Sequence, residues 1–249
     1  ADTGREVLGD LTPRRGAVAV LLVVLAALSG PAVAVNLVAV GDESLPGDPV
    51  EVRGYSVTYA EGVENGTVSV IDVDAFGETT GVTTSGVVVR NPDRGVWATA
   101  VSKGRLAFSG RQRVVLGGVG WREVVTVTRR GWTTVGADGP AYRVTLTHDD
   151  ETTLAFLSNA SKAEPRVSGR VVSVVPTESG FELLVEGGNG SARAPIPDEN
   201  GTVKANGLPF ERDGVAVYAL ADEANASTGN ATLTRVRVAT RERYGGQNG

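Results

Sequence analysis

The chain contains no cysteine and no methionine, a single histidine, His148, and only three lysines, Lys103, Lys162 and Lys204. Without cysteine there can be no disulfide framework, thiol nucleophile, zinc knuckle or iron–sulfur site. A catalytic triad or dyad needs a base beside its nucleophile, and a metal site draws on several ligands, so one histidine leaves little for either. The net charge is −5, and no clustered basic face stands out, which argues against nucleic acid as a partner. The chain begins at Ala1 and carries no methionine, which predicts a natural start further upstream.

What is present is enough for a real core. The 249 residues are 41% hydrophobic and 21% charged, room for one large or two small domains after an apolar N-terminal segment. Valine dominates the apolar set and arginine the basic one. With the acidic excess, that bias fits a GC-rich, salt-adapted source.

From Gly16 to Gly41 no residue is charged, and about 20 apolar residues suffice to cross the ~30 Å hydrocarbon layer as a helix. Arg14 and Arg15 precede the run, whereas Asp42, Glu43 and Asp48 follow it. By the positive-inside tendency, residues 1–15 are a cytoplasmic juxtamembrane segment, 16–41 a transmembrane helix, and 42–249 extracytoplasmic. A second reading stands beside this one. Arg14 and Arg15 serve as the n-region of a signal peptide, Ala17–Ser29 as its apolar region, and Ala32-Val33-Ala34 as its cleavage site. Both of these readings export the rest of the chain, and the first makes the lipid bilayer a partner; a buried soluble helix is the remaining alternative.

Six of the ten asparagines sit in N-x-[ST] tripeptides: Asn65, Asn159, Asn189, Asn200, Asn225 and Asn230. Serine and threonine at roughly 15% of residues would give about one or two by chance. The excess predicts glycosylation at these six positions, all on the side of the apolar run expected outside. For a single tripeptide, the fondness of Asn-Gly for turns is an equal explanation.

From Val50 onward short valine- and threonine-rich runs alternate with period two, as in "GYSVTYA", "REVVTVTRR", "AYRVTLTH", "GRVVSVVP" and "LTRVRVAT". That period marks half-buried strands. Turn signals such as Asn91-Pro92-Asp93-Arg94-Gly95, Ala137-Asp138-Gly139 and Glu199-Asn200-Gly201 separate them. The expected fold class is all-β, a sandwich or barrel-like region in two units after the N-terminal helix. Residues 42–157 form the first unit and 166–242 a smaller second one, with the polar stretch "SNASKAEP" between them and a flexible tail at 243–249. Trp121 and Trp132, eleven residues apart, read as hairpin-edge tryptophans packing on one core, with a sugar-stacking pair as the alternative.

Few residues suggest chemistry. His148-Asp149-Asp150-Glu151 reads as a polar hairpin turn between two strands. Asp72 to Glu78 begins like a calcium loop but lacks the later oxygen ligands. Ser102-Lys103 and Ser85-Gly86 could seed a serine–lysine mechanism only with a partner nearby. No catalytic, cofactor-binding or metal residue is assigned, and no cofactor is expected.

The stretches "VRGYSVTYAEGVENGTVSVIDVDAFGETTGVTTSGVVVRN", "WATAVSKGRLAFSG" and "GGVGWREVVTVTRRGWTTVG" resemble the C-terminal extension of rhomboid-family intramembrane serine proteases of halophilic archaea. In that family a serine in a G-x-S-G turn pairs with a histidine on a later membrane helix. Neither partner carries over: Ala27-Leu28-Ser29-Gly30 has alanine first, and no histidine-bearing apolar helix follows. The resemblance implies that the catalytic core lies upstream and that this region selects membrane-protein substrates or contacts the cell envelope. A non-enzymatic secreted or anchored surface glycoprotein is the alternative.

Overall fold

A computed structural model describes residues 48–64, 83–188, 190–224 and 231–245. The apolar run 16–41, the acidic stretch Asp72–Glu78 and four of the six sequon asparagines (Asn65, Asn189, Asn225, Asn230) lie outside the described residues. Among the described residues no helix is long and apolar enough to cross a membrane.

The fold is predominantly β, as the alternation predicts. Strands β1 (Val50–Val52), β2 (Tyr55–Glu64), β3 (Thr83–Asn91) and β4 (Val96–Ser102) form one antiparallel sheet in chain order. One short helix, α1 (Lys103–Ser109), leads into the meander β5 (Arg111–Gly118), β6 (Trp121–Thr134), β7 (Ala141–His148) and β8 (Glu151–Leu157). Strands β9 (Ser161–Val167), β10 (Arg170–Pro176), β11 (Phe181–Gly187) and β12 (Gly190–Pro195) make a second four-stranded sheet. The remaining strands β13 (Thr202–Ala205), β14 (Leu208–Asp213), β15 (Ala216–Ala224) and β16 (Ala231–Arg241) join the meander through β16 and β6, giving one eight-stranded sheet.

β6 is the strand that both halves share. It pairs with β5 over Trp121–Thr128 and with β16 over Trp132–Thr134 along one edge, and with β7 along the other. Its register with β5 and β7 shows no bulge, so side-chain parity holds along its length. Val125 and Val127 point into a core with Val57, Val87, Leu116, Val144 and Leu146, under the β1–β4 sheet. Trp132, of opposite parity, points into a second core with Val174, Leu183, Phe210, Val217 and Ala239, under the β9–β12 sheet. The two smaller sheets therefore cover opposite faces of the shared sheet, offset along it. Each fully buried valine or leucine in these cores contributes roughly 1.5–3 kcal/mol.

This geometry corrects the tryptophan reading. Trp121 packs at the edge of the first core and Trp132 sits in the second. Eleven residues of strand separate them by roughly 36 Å, too far to serve one core or one sugar. The polar stretch expected between the units also differs, since from Ser161 it supplies strand β9. The tail docks at its start: Tyr244 is buried, and the Gly245 N–H donates to the Phe108 carbonyl at 2.9 Å.

Helix α1 is a departure from the all-β expectation. Ser102 accepts the Arg105 N–H at its N-terminus, and Gly110, at φ 69, closes the other end by donating to the Leu106 carbonyl at 2.8 Å. Gly110 meets two demands at once, the left-handed conformation and the Tyr244 ring packed where a Cβ would stand.

Candidate functional site

Four turns gather at one end of the first sandwich because both sheets there are meanders. In the β1–β2 turn Arg53 and Gly54 both have positive φ (48 and 80), the backbone of a two-residue type I′ hairpin. The β3–β4 connection is the expected Asn91–Gly95 turn: Asn91 Oδ1 accepts the Arg94 N–H at 3.0 Å, and Gly95 has φ 62. Val119-Gly120 joins β5 to β6, with Val119 fully exposed at the tip. Asp149 and Asp150 (φ 47 and 64) join β7 to β8, so the polar-turn reading of His148–Glu151 holds.

Side chains link these turns into one surface. Arg53 Nε lies 3.2 Å from Glu123 Oε1, and its guanidinium sits 5.5 Å over the Trp121 ring. Trp121 tilts against Tyr55 with centroids 6.1 Å apart, and Arg94 covers Tyr55 at 5.6 Å while donating to its hydroxyl at 3.3 Å. Strand parity turns Trp121, Glu123 and His148 toward the inner face, where the apolar core ends and a polar mouth begins. His148 Nδ1 lies 3.4 Å from the Val124 carbonyl, and Nε2 lies 3.4 Å from Asp149 Oδ2.

Glu123, His148 and Asp149 bring three potential metal-ligand atoms within 4.8 Å of one another. No spacing in the sequence points to this grouping, since Glu123 lies 25 positions before His148 on another strand. A proton on Nδ1, bonded to the carbonyl, would leave the Nε2 lone pair for a cation. Yet Glu123 is already neutralised by Arg53, and the Asp149 side chain is 83% exposed. A divalent ion there would share Glu123 with that guanidinium, which holds one of its two carboxylate oxygens.

The opposite end of the same sandwich holds a partly buried charged network. Glu61 accepts hydrogen bonds from the Tyr59 hydroxyl at 2.8 Å, from Lys103 Nζ at 2.9 Å and from the Tyr142 hydroxyl. Arg129 stacks 3.6 Å from the Tyr142 ring centroid and grips Glu242 through two bonds, of 3.1 and 2.8 Å. Tyr244 donates to the same carboxylate at 3.0 Å. Burial, then the bond to Glu61, pushes the Tyr59 phenol far above its usual range; burial, then the Glu242 charge, does the same for Tyr244.

These contacts define what the sequence candidates do. Lys103 Nζ is committed to Glu61, and the Ser102 hydroxyl caps α1, so the pair does not form a nucleophile and its base. Ser85 Oγ accepts the Gly62 N–H at 2.9 Å, and Gly86 lets the Val101 backbone approach where a Cβ would stand. Of the two described sequon asparagines, Asn159 and Asn200, both are exposed. Comparison with protein-family models, curated proteins and solved structures gives no match.

Proposed function

We propose that residues 42–249 are an extracytoplasmic recognition region, the non-catalytic C-terminal extension of a rhomboid-like intramembrane serine protease, tethered to the bilayer by residues 16–41. The protease assignment rests on the resemblance alone, and the observation that supports the tether is where the chain joins the fold. β1 begins at Val50, nine positions after Gly41, and reaches the Arg53-Gly54 turn after three residues. Those three residues span about 10 Å, and the connector 42–49 spans at most roughly 28 Å at full extension. An anchor at 16–41 would therefore hold the four-turn end within roughly 38 Å of the bilayer surface. Arg53, Tyr55, Arg94 and Trp121 supply there the arginines and aromatics that dominate protein recognition. They would engage membrane-protein substrates just outside the bilayer, while hydrolysis belongs to a Ser/His pair upstream, as the resemblance implies.

The reading frame upstream of Ala1 tests this. It should encode a G-x-S-G helix and a later histidine-bearing helix. Fewer than about 30 preceding residues would leave no room for a multi-span core and would overturn the protease assignment. A surface glycoprotein is then the reading that stands, and the exposure of Asn159 and Asn200 favours it.

A further inference from the structure

The two described sequons are not equivalent. In N-x-[ST] transfer, the hydroxyl of the third residue must be free to help the transferase take the asparagine amide. In Asn159-Ala160-Ser161 the asparagine is exposed, but Ser161 is 2% exposed and its hydroxyl is spoken for on both sides. It accepts the Thr134 N–H at 3.0 Å and donates to the Gly139 carbonyl at 2.7 Å. The Thr134 hydroxyl returns a bond to the Ser161 carbonyl at 2.7 Å and lies 3.3 Å from the Val174 N–H, so the knot ties β6, β9 and β10 together. Presenting Ser161 to an enzyme means pulling the start of β9 out of the second core.

Asn200-Gly201-Thr202 is built the other way. Asn200 and Thr202 are both exposed, and the tripeptide leads into β13, an edge strand of the eight-stranded sheet. Its ties to the fold are main-chain ones, Asn200 N–H to the Arg212 carbonyl at 3.0 Å and Arg212 N–H to the Gly201 carbonyl at 3.2 Å. Side chains at an edge can be engaged without opening the ladder behind them.

We infer that Asn200 is a glycan acceptor on the folded protein, whereas Asn159 accepts only from chain that has not yet folded. The inference rests on reading residues 42–249 as extracytoplasmic. The co-reactant is a lipid diphosphate-linked oligosaccharide. The amide nitrogen bonds to C1 of the first sugar, the C1–oxygen bond to the diphosphate breaks, the lipid diphosphate leaves with the electron pair, and the amide gives up one proton.

The test incubates an oligosaccharyltransferase and this donor with the folded full chain and, separately, with its tryptic digest. Trypsin leaves each tripeptide whole, ending at Lys162 and Lys204. Both peptides should accept in the digest. On the folded chain Asn200 should accept at a similar rate, and Asn159 at least about tenfold more slowly than in the digest, since two buried hydrogen bonds must open first. Folded Asn159 within about twofold of its digest rate overturns the inference, as does folded Asn200 failing where its peptide succeeds. Neither peptide accepting overturns it as well. Failure of the underlying reading looks different: Asn200 accepts in vitro yet is unmodified in protein from its native source.

Discussion

Replacing Glu242 with alanine removes the only carboxylate bonded to Arg129 among the described residues. The Arg129 side chain is 4% exposed and that of Glu242 16%, and the two bonds between them bring the tail back across β6. Truncation leaves a buried guanidinium stacked on the Tyr142 ring without its carboxylate and deprives the Tyr244 hydroxyl of its acceptor. Breaking a buried pair from one side costs about 3–5 kcal/mol, far more than losing an exposed one. At about 2–4 °C per kcal/mol for a domain of this size, the melting temperature should fall by roughly 6–20 °C. Urea unfolding followed by tryptophan fluorescence is the assay, with Trp97 and Trp132 reporting as buried probes. Arg129→Met combined with Glu242→Leu should recover much of the loss, because neither charge then remains buried. A loss below about 1 kcal/mol for Glu242→Ala, the scale of an exposed pair, would refute the claim that this tail contact is a buried one.

Alkaline pH should destabilise the fold through Tyr59 and Tyr244. Both phenols are raised above their ordinary value of 10.0, so the stability they contribute is complete below that pH and fades as pH climbs past it. Tyrosinate absorbance should show two of the five tyrosines ionising only as the chain unfolds, and five independent early titrations would contradict this. Ser173 is fully buried and its hydroxyl has no hydrogen-bond partner among the described residues. Ser173→Ala should therefore be neutral or stabilising by up to about 1 kcal/mol, and a clear drop in the urea midpoint would reveal a missed partner. Asp150→Gly relieves a positive φ of 64 in the β7–β8 turn at the cost of a freer unfolded chain, and should change stability by less than about 1 kcal/mol in the same assay.

Period-two alternation made most strands legible because one face of each is buried and the other wet. "REVVTVTRR" and "AYRVTLTH" appear as β6 and β7, and the Asn91–Gly95 turn is where its residues put it. Short elements escaped. α1 has seven residues, too few for a helical period, although Ser102 and Gly110 are recognisable stops at its ends. β9, "SKAEPRV", looks like a loop because its sequence lacks apolar alternation; its ladder with β10, the Ser161 knot and the buried Val167 hold it in place. The switch of β6 from one core to the other was hidden for a different reason. Burial alternates on both sides of Arg129, and only the position of the covering sheets says which parity faces which core. The candidate site was the least legible part. Arg53, Trp121, Glu123 and His148 come from different turns, and it is their pairing across sheets that makes a surface.

The central functional claim is that the β region lies outside the cell. Residues 1–249 contain no cysteine, so a single introduced thiol gives one labelling position among them, read on the tryptic peptide 194–204. Glu199→Cys puts it on an exposed turn and leaves the Asn200 tripeptide intact. Intact cells carrying the variant should be labelled by a membrane-impermeant maleimide, to the same extent as after permeabilisation. Labelling that appears only once the membrane is opened would contradict the account.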